Sequence, residues 1–154
     1  MSPFPPTRAL LPHGGGMALL ESVLDHGPTH TVCSVDCAES GLFQEADGSV
    51  PAWLAIEYMA QCIGAHVGLE KHARSEGTKV GFFVGSRRTV FHVDSVEPDE
   101  HVRVRVDALR RGGGLLVFAC RVEREADGVV LAEGQVSVFE PRDPEAFVRG
   151  AQPS

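Results

Sequence analysis

A carboxylate and an amide interrupt the longest apolar segment of the chain. Glu57 and Gln61 lie four residues apart within residues 52–69, so a helix there places both on one face. Burying an unpaired carboxylate costs several kcal/mol, so Glu57 must be hydrogen-bonded, face a cleft or carry a proton. Such a group suits proton removal beside a carbonyl or protonation of a departing hydroxyl. The structural alternative is a glutamate that caps loop N–H groups.

The start of the same segment offers hydrogen-bond donors. Pro51 occupies the position that proline favours in the first turn of a helix, and Ala52 and Trp53 follow it. The first N–H groups of a helix lack partners within the helix, and its dipole is positive at that end. These donors would stabilise an oxygen that gains charge during a reaction. Every helix offers them, so their interest here is that Glu57 lies within two turns.

His13 is the third candidate for chemistry. It follows Pro12 and precedes three glycines, an irregular segment in which the backbone can pass close to another group. Histidine titrates near neutral pH and can act as acid or base, although a histidine in a loop is more often an ordinary surface residue. No histidine has the spacing to another histidine or a carboxylate that is typical of a metal site, so we expect neither metal nor cofactor.

The elements that would position these residues follow from hydrophobic patterning. Residues 51–72 are apolar on nearly every face, which predicts a buried central helix. Two apolar runs precede it, split by a turn at residues 26–28, and four more follow, separated by turn signals. The pattern predicts an α+β fold with one antiparallel sheet around one helix. The strand segments are residues 17–25, 29–36, 81–93, 101–109, 115–123 and 129–139.

Composition limits the function classes. A chain of 154 residues with 43% hydrophobic residues predicts a single domain, residues 1–154, with an ordered core at about 10–140. The net charge of −7 disfavours nucleic acid. No secretory signal or apolar run long enough for a membrane span is apparent. The cysteines are expected to be reduced and buried in a cytoplasmic protein: Cys33, Cys37, Cys62 and Cys120.

Three motifs carry a family resemblance. The segments are residues 11–23, beginning Leu-Pro-His; residues 56–61, Ile-Glu-Tyr-Met-Ala-Gln; and residues 81–85, Gly-Phe-Phe-Val-Gly. In this order they resemble 3-hydroxyacyl-acyl-carrier-protein dehydratases of the hot-dog superfamily. Within it, the subunit encoded in aryl polyene pigment clusters is most similar, through Pro-Ala-Trp at 51–53 and the motif at 56–61.

The resemblance implies a hot-dog fold, a dimer in which two sheets join, and acyl tunnels at the subunit interface. It implies that Glu57 is catalytic. The residues it implies for substrate binding are Ala52, Trp53, Gln61, Phe43, Phe83 and Gly85. Family members use a loop histidine of the other subunit, but an ungapped alignment on Pro51 and Glu57 puts Phe43 at that position. Either His13 or a histidine of a second hot-dog protein would replace it.

The leading hypothesis is therefore dehydration of a 3-hydroxyacyl thioester, on acyl carrier protein or coenzyme A, to a trans-2-enoyl thioester in fatty-acid or polyene biosynthesis. A hot-dog thioesterase is the alternative enzyme, since that fold also uses a helix carboxylate. The third hypothesis is a non-catalytic subunit that binds an acyl chain or stabilises a partner; the absent loop histidine motivates it. The partner would be a second copy or a different hot-dog subunit.

Overall fold

A computed structural model describes residues 3–10, 18–40, 43–73 and 82–140. Eight strands and two α-helices make up this part of the chain. The helices are α1, Thr7–Leu10, and α2, Ala55–Ala73. The strands are β1, Ser22–His26; β2, His30–Asp36; β3, Val50–Pro51; β4, Phe82–Phe91; β5, Ser95–Val96; β6, His101–Gly112; β7, Leu115–Arg124; and β8, Val130–Phe139.

Six strands form one antiparallel sheet in the order β1-β2-β6-β7-β8-β4. Alternating residues of β6 show why it lies at the centre, since Val102, Val104 and Val106 are fully buried while the residues between them are less so. The predicted first hairpin is confirmed: Gly27 donates its N–H to the His30 carbonyl at 2.9 Å, and β1 pairs with β2. The four strands predicted after the helix are also confirmed.

Helix α2 packs against β2, β6, β7 and β8, so the sheet wraps around it as the apolar pattern predicts. The regular helix begins four residues after Pro51, because Ala52–Leu54 forms one turn of 3-10 helix before it. Towards its C-terminal end it crosses α1 closely. A Cβ at Gly68 would lie 2.4 Å from the Leu10 carbonyl oxygen, so only glycine permits this approach.

One feature of the fold lay outside the sequence prediction. Strand β3 pairs with β5 in a separate two-stranded sheet, through Val50 opposite Val96 and Pro51 opposite Ser95. This short pairing fixes the entry to α2, and two-residue strands have too little pattern to be seen in sequence. No helix within the described residues is long and apolar enough to cross a membrane.

Candidate functional site

Glu57 lies in the first turns of α2 and is partly buried. Gln61 Nε2 donates to Glu57 Oε1 at 3.1 Å, as their spacing on one helix face predicts. The Gln61 side chain is buried, and its Oε1 accepts a hydrogen bond of 2.8 Å from the backbone N–H of Leu19. The segment before β1 thereby fixes the amide, and the amide in turn orients one oxygen of the carboxylate.

One stripe of α2 and its preceding turn is not fully buried, although the other residues of the helix up to Leu69 are. Trp53 is 57% exposed, and the next positions along this side are partly exposed. We call this set the open stripe: Trp53, Ile56, Glu57, Ala60 and Gly64. The carboxylate therefore opens onto the one side of the helix that the described part of the chain leaves uncovered.

The turn at the start of the helix presents fewer free donors than its sequence implied. The N–H of Ala52 donates to the Asp94 carbonyl at 3.0 Å, so this group is already used. The N–H of Ala55 reaches the carbonyls of Ala52 and Trp53. Neither of these two N–H groups is therefore available to an added oxygen.

Phe43 and Trp53 form one aromatic contact beside the open stripe. Their ring centroids are 6.5 Å apart and their planes are nearly perpendicular, the edge-to-face geometry that aromatic pairs favour. The loop that carries Phe43 is held locally: Gln44 Nε2 donates to the Gly48 carbonyl at 2.9 Å, and Asp47 accepts from Ser49. The position that the resemblance assigns to a histidine is thus an ordered aromatic contact.

Behind the carboxylate, the side of α2 that faces the sheet is sealed. Tyr58 Oη and Ser40 Oγ form a buried hydrogen bond of 2.7 Å. Burial raises the pKa of the Tyr58 phenol and raises the pKa of the adjacent Cys37 thiol to about 11, so both stay neutral near pH 7. All four cysteines are free and buried, which confirms their predicted role as small apolar residues.

An enclosed apolar cavity adjoins this region, but it is small. It measures about 10 Å³ for a water-sized sphere, room for roughly one water molecule. Its walls come from the helix entry and the sheet and include Pro51, Ala55, Tyr58, Val96 and Leu131. This cavity cannot hold an acyl chain unless its walls move.

Three further candidate residues were named from the sequence: His13, Phe83 and Gly85. His13 lies outside the described residues, as does the side chain of Phe83. Gly85 lies on β4 opposite Ser137, and a Cβ added there would meet nothing within 4 Å. Packing within the described chain therefore gives no reason for glycine at this position.

A polar cluster that sequence spacing did not reveal lies near the other end of α2. His66 is fully buried, and its Nδ1 lies 2.7 Å from Thr31 Oγ1. The same hydroxyl lies 2.8 Å from His26 Nδ1, and His66 Nε2 lies 3.6 Å from Glu70 Oε2. Burial lowers the pKa of His66 to about 4, against the opposing effect of Glu70. Arg111 closes the cluster with two hydrogen bonds to Glu70, of 2.7 and 2.8 Å.

Glu21, Asp36 and His101 form another group that spacing did not reveal, because it joins separate strands. One potential ligand atom from each lies within 4.8 Å of the others. The contacts from His101 to Glu21 and Asp36 are 3.8 and 4.0 Å, with Glu21 and His101 about half exposed. Surface ion pairing of the histidine accounts for this arrangement.

The sequence profile of the ApeP dehydratase family matches residues 5–149, nearly the whole chain. The chain belongs to the ApeP-like family. The family assignment confirms the predicted relationship to dehydratases of aryl polyene type and includes the Glu57 and Gln61 region described above. A comparison with curated protein sequences gives no match.

Solved structures similar to this ApeP-like chain confirm the hot-dog fold. A chain of the dehydratase heterocomplex ApeI:P from Xenorhabdus doucetiae is 27% identical, with a TM-score of 0.88 over 97% of this chain and 99% of that one. A hypothetical thioesterase with coenzyme A from Streptococcus pneumoniae is 11% identical, with a TM-score of 0.60 over 78% and 84%. Zebra fish thioesterase superfamily member 2 is 16% identical, with a TM-score of 0.60 over 87% and 91%. The two thioesterases share the fold alone.

Proposed function

We propose that this chain is the glutamate-bearing subunit of a heterodimeric dehydratase, which converts a 3-hydroxyacyl thioester into a trans-2-enoyl thioester and water. The observation that carries the proposal is the position of Glu57. It is oriented by Gln61 on one face of α2, and it opens onto the stripe that the described chain leaves uncovered. Membership of a dehydratase family supports the reaction class.

In the proposed reaction, Glu57 delivers a proton to the departing 3-hydroxyl while a histidine removes the proton at C2. The C2–H and C3–O bonds break, the C2–C3 double bond forms, and water leaves. Negative charge that builds on the thioester oxygen is stabilised by N–H groups of the turn at Trp53, since the Ala52 N–H is already bonded to Asp94. Proton transfer from the histidine back to Glu57 restores the starting state. No cofactor takes part in these steps.

We assign the histidine to the partner subunit. Phe43 stands where the resemblance expects a histidine, and its edge-to-face contact with Trp53 is that of a packing residue. The relative from Xenorhabdus doucetiae is part of a dehydratase heterocomplex, which supports a pair of different subunits. His13 is the alternative source within this chain, and His13→Ala tests it: activity of the complex is retained if the partner supplies the base.

The acyl chain would lie between the subunits. The enclosed cavity beside the helix entry accommodates about one water, whereas the open stripe offers Ile56, Ala60 and Gly64 as an apolar surface next to Glu57. A partner covering this stripe would create an enclosed channel that ends at the carboxylate. The thioester carrier would be an acyl carrier protein or coenzyme A, and four buried free cysteines fit a reducing cytoplasm.

The test is to purify the chain alone, its co-expressed second hot-dog subunit alone, and the complex, and to supply each with a 3-hydroxyacyl thioester. We expect the complex to form enoyl thioester, measured by ultraviolet absorbance and mass spectrometry, and the chain alone to form little. Release of free acid would support a hot-dog thioesterase instead. Full activity of the second subunit without this chain would support a non-catalytic role.

A further inference from the structure

Strand β4 is a long sheet edge without a cover in the described chain. It spans ten residues at one end of the sheet, whereas β1 at the other end spans five. Val90 and Phe91 on β4 are large apolar residues, 47% and 39% exposed. A long edge with exposed apolar residues is a surface that another strand can join, and proteins usually block it unless pairing is intended.

Two adjacent arginines lie at a bulge in this edge strand. Arg87 and Arg88 are both exposed, and Arg88 has a φ of 55°, which is unfavourable for a residue with a side chain. The pairing of β4 with β8 shifts register between Arg87 and Val90. Strand β8 accommodates this bulge through Gly134, where a Cβ would lie 2.8 Å from the Thr89 hydroxyl. The bulge is thus supported by close packing, as bulges with a defined role are.

Neither guanidinium has a carboxylate partner among the described residues. Three other arginines of the sheet have one: Arg105 pairs with Asp107, Arg111 with Glu70 and Arg124 with Glu100, at distances of 2.7 to 3.0 Å. The chain carries a net charge of −7, so acidic partners are plentiful. Two unpaired cations on an uncovered edge therefore leave positive charge available to a neighbouring chain.

We propose that Arg87 and Arg88 make the β4 edge selective for a hot-dog subunit of different sequence, by pairing with carboxylates on that subunit's edge strand and by opposing the pairing of two copies of this chain. In a twofold pairing centred on Arg87, which overlaps residues 83–91, the two Arg87 residues stand directly opposite one another on the same face, with their Cα atoms about 5 Å apart. Like charges placed opposite one another across strands are destabilising, whereas opposite charges stabilise. The inference rests on the proposed heterodimer and names what selects its partner.

An acidic carrier protein could also bind two arginines, but the surrounding surface favours a strand. Val90 and Phe91 follow the arginines on the same edge, and Gly85 precedes them with open space around it. An incoming strand would use the free backbone groups of the edge and cover all three positions, whereas a carrier helix would use only the charges. Carrier binding is therefore an outcome of the test.

The test uses the full chain, its co-expressed second hot-dog subunit and the double variant Arg87→Glu/Arg88→Glu. Arg110→Glu/Arg121→Glu is the matched control, since both of these arginines are exposed elsewhere and the charge change is the same. We expect charge reversal on β4 to raise the Kd between the subunits at least about a hundredfold, and the control to change it less than about threefold. Arg87→Glu alone, which leaves the left-handed Arg88 in place, should raise Kd about tenfold. Replacing both arginines with Ser should increase self-association of the chain in sedimentation experiments.

Equal Kd values for the reversed and control variants would overturn the inference. If Kd were unchanged but KM rose for a carrier-bound substrate and not for a coenzyme A thioester, the edge would bind carrier instead, which also overturns it. In both cases the wild-type complex would still dehydrate its substrate, so the proposed function would survive. Dehydration by the chain as a homodimer would instead refute the heterodimer itself.

Discussion

The two ends of α2 both contain polar side chains in apolar surroundings, but they differ in how completely those groups are enclosed. At the first end, Gln61 is buried and bonded on both sides, while the carboxylate it contacts opens onto an uncovered stripe. Near the other end, His66 is fully buried and contacts Thr31, with Glu70 close to its second nitrogen. The first end leaves a carboxylate accessible, and the second keeps an imidazole away from water.

At the enclosed end of α2, which we call the sealed end, the hydrogen bonds around His66 limit which ring nitrogens can carry protons. The Thr31 hydroxyl has one hydrogen and lies within 2.8 Å of a nitrogen of both His26 and His66. It also lies 2.9 Å from the His30 carbonyl, to which it can donate, so at least one of the two histidines must donate to its oxygen. If the hydroxyl donates to His66 Nδ1, the proton of neutral His66 stands on Nε2, 3.6 Å from the Glu70 carboxylate. This distance is slightly too long for a hydrogen bond, so Nε2 stays buried without a hydrogen-bond partner among the described residues.

The largest expected effect is on catalysis, when the carboxylate of Glu57 is replaced. Glu57→Gln keeps the shape of the side chain and an oxygen that accepts from Gln61, but removes the titrating proton. We expect the complex to fold, to bind acyl ligand and to lose dehydration by at least about a hundredfold, the usual contribution of one acid–base group. Enoyl absorbance measures the rate. Normal turnover by this variant would remove the catalytic assignment and leave an acyl-binding or scaffold role.

A smaller loss of activity is expected when Glu57 is kept but Gln61, the residue that orients it, is replaced. Gln61→Leu leaves the buried N–H of Leu19 without its acceptor, which lowers the free energy of unfolding by about 1–3 kcal/mol. It also removes the donor to Glu57, so we expect kcat to fall about tenfold with little change in KM, as for a positioning residue.

Gln61→Glu is a second test, because it keeps an acceptor for Leu19 while losing the amide donor. It also buries a second carboxylate beside Glu57, so it should lower kcat and should lower stability at least as much as the leucine variant. If kcat were unaffected by either substitution, the contact between Gln61 and Glu57 would have no part in catalysis.

The difference between the ends also explains what the sequence could predict. Glu57 and Gln61 stand out because they interrupt an apolar segment, and their contact follows from a spacing of four residues on one helix. The partners of His66 could not be predicted in this way. Thr31 is 35 residues away on β2, and Arg111, which holds Glu70, comes from β6. Only the pairing of strands around the helix brings them together.

What the sequence could not predict at the start of α2 has a similar physical origin. Proline in the first turn correctly indicated where the helical segment begins, but the sequence could not show that Asp94 uses the Ala52 N–H. That bond depends on the short pairing of β3 with β5, two residues from each strand. The open stripe was also hidden, since Ile56, Ala60 and Gly64 are as apolar or small as the covered residues of the helix.

At the sealed end, the expected signature is in the pH dependence of stability. The pKa of folded His66 is lowered from 6.5 to about 4, so as pH falls the unfolded chain takes up a proton before the folded chain does. The stabilising effect of neutral His66 is therefore complete above pH 6.5 and is lost progressively down to about pH 4. The titratable and charged groups near the ring are Glu70, His26 and Arg111.

His66→Gln retains a hydrogen-bonding side chain but cannot titrate in this range. Urea unfolding of both proteins between pH 7.5 and 4 should give curves that differ most in slope below pH 6.5, with the wild type losing stability more steeply. Carboxylates titrate in both proteins and cancel in the comparison. Parallel curves over the whole range would mean that His66 is not held neutral by the fold.

The smallest effect on the isolated chain is expected at the exposed end of the open stripe. Trp53 is 57% exposed, and its ring contacts the ring of Phe43. Trp53→Ala should lower the free energy of unfolding by no more than about 1 kcal/mol, since little surface is buried and one edge-to-face pair is lost. Leu54→Ala, at a position only 1% exposed in the same turn, is the matched control and should cost about 2–5 kcal/mol.

The effect of Trp53→Ala should be larger in the complex. If a partner and an acyl chain cover the open stripe, this substitution should raise subunit Kd or substrate KM although the isolated chain hardly responds. An equally small effect on the complex would show that the stripe stays open to water at Trp53, and the acyl channel would then have to begin deeper, at Ile56.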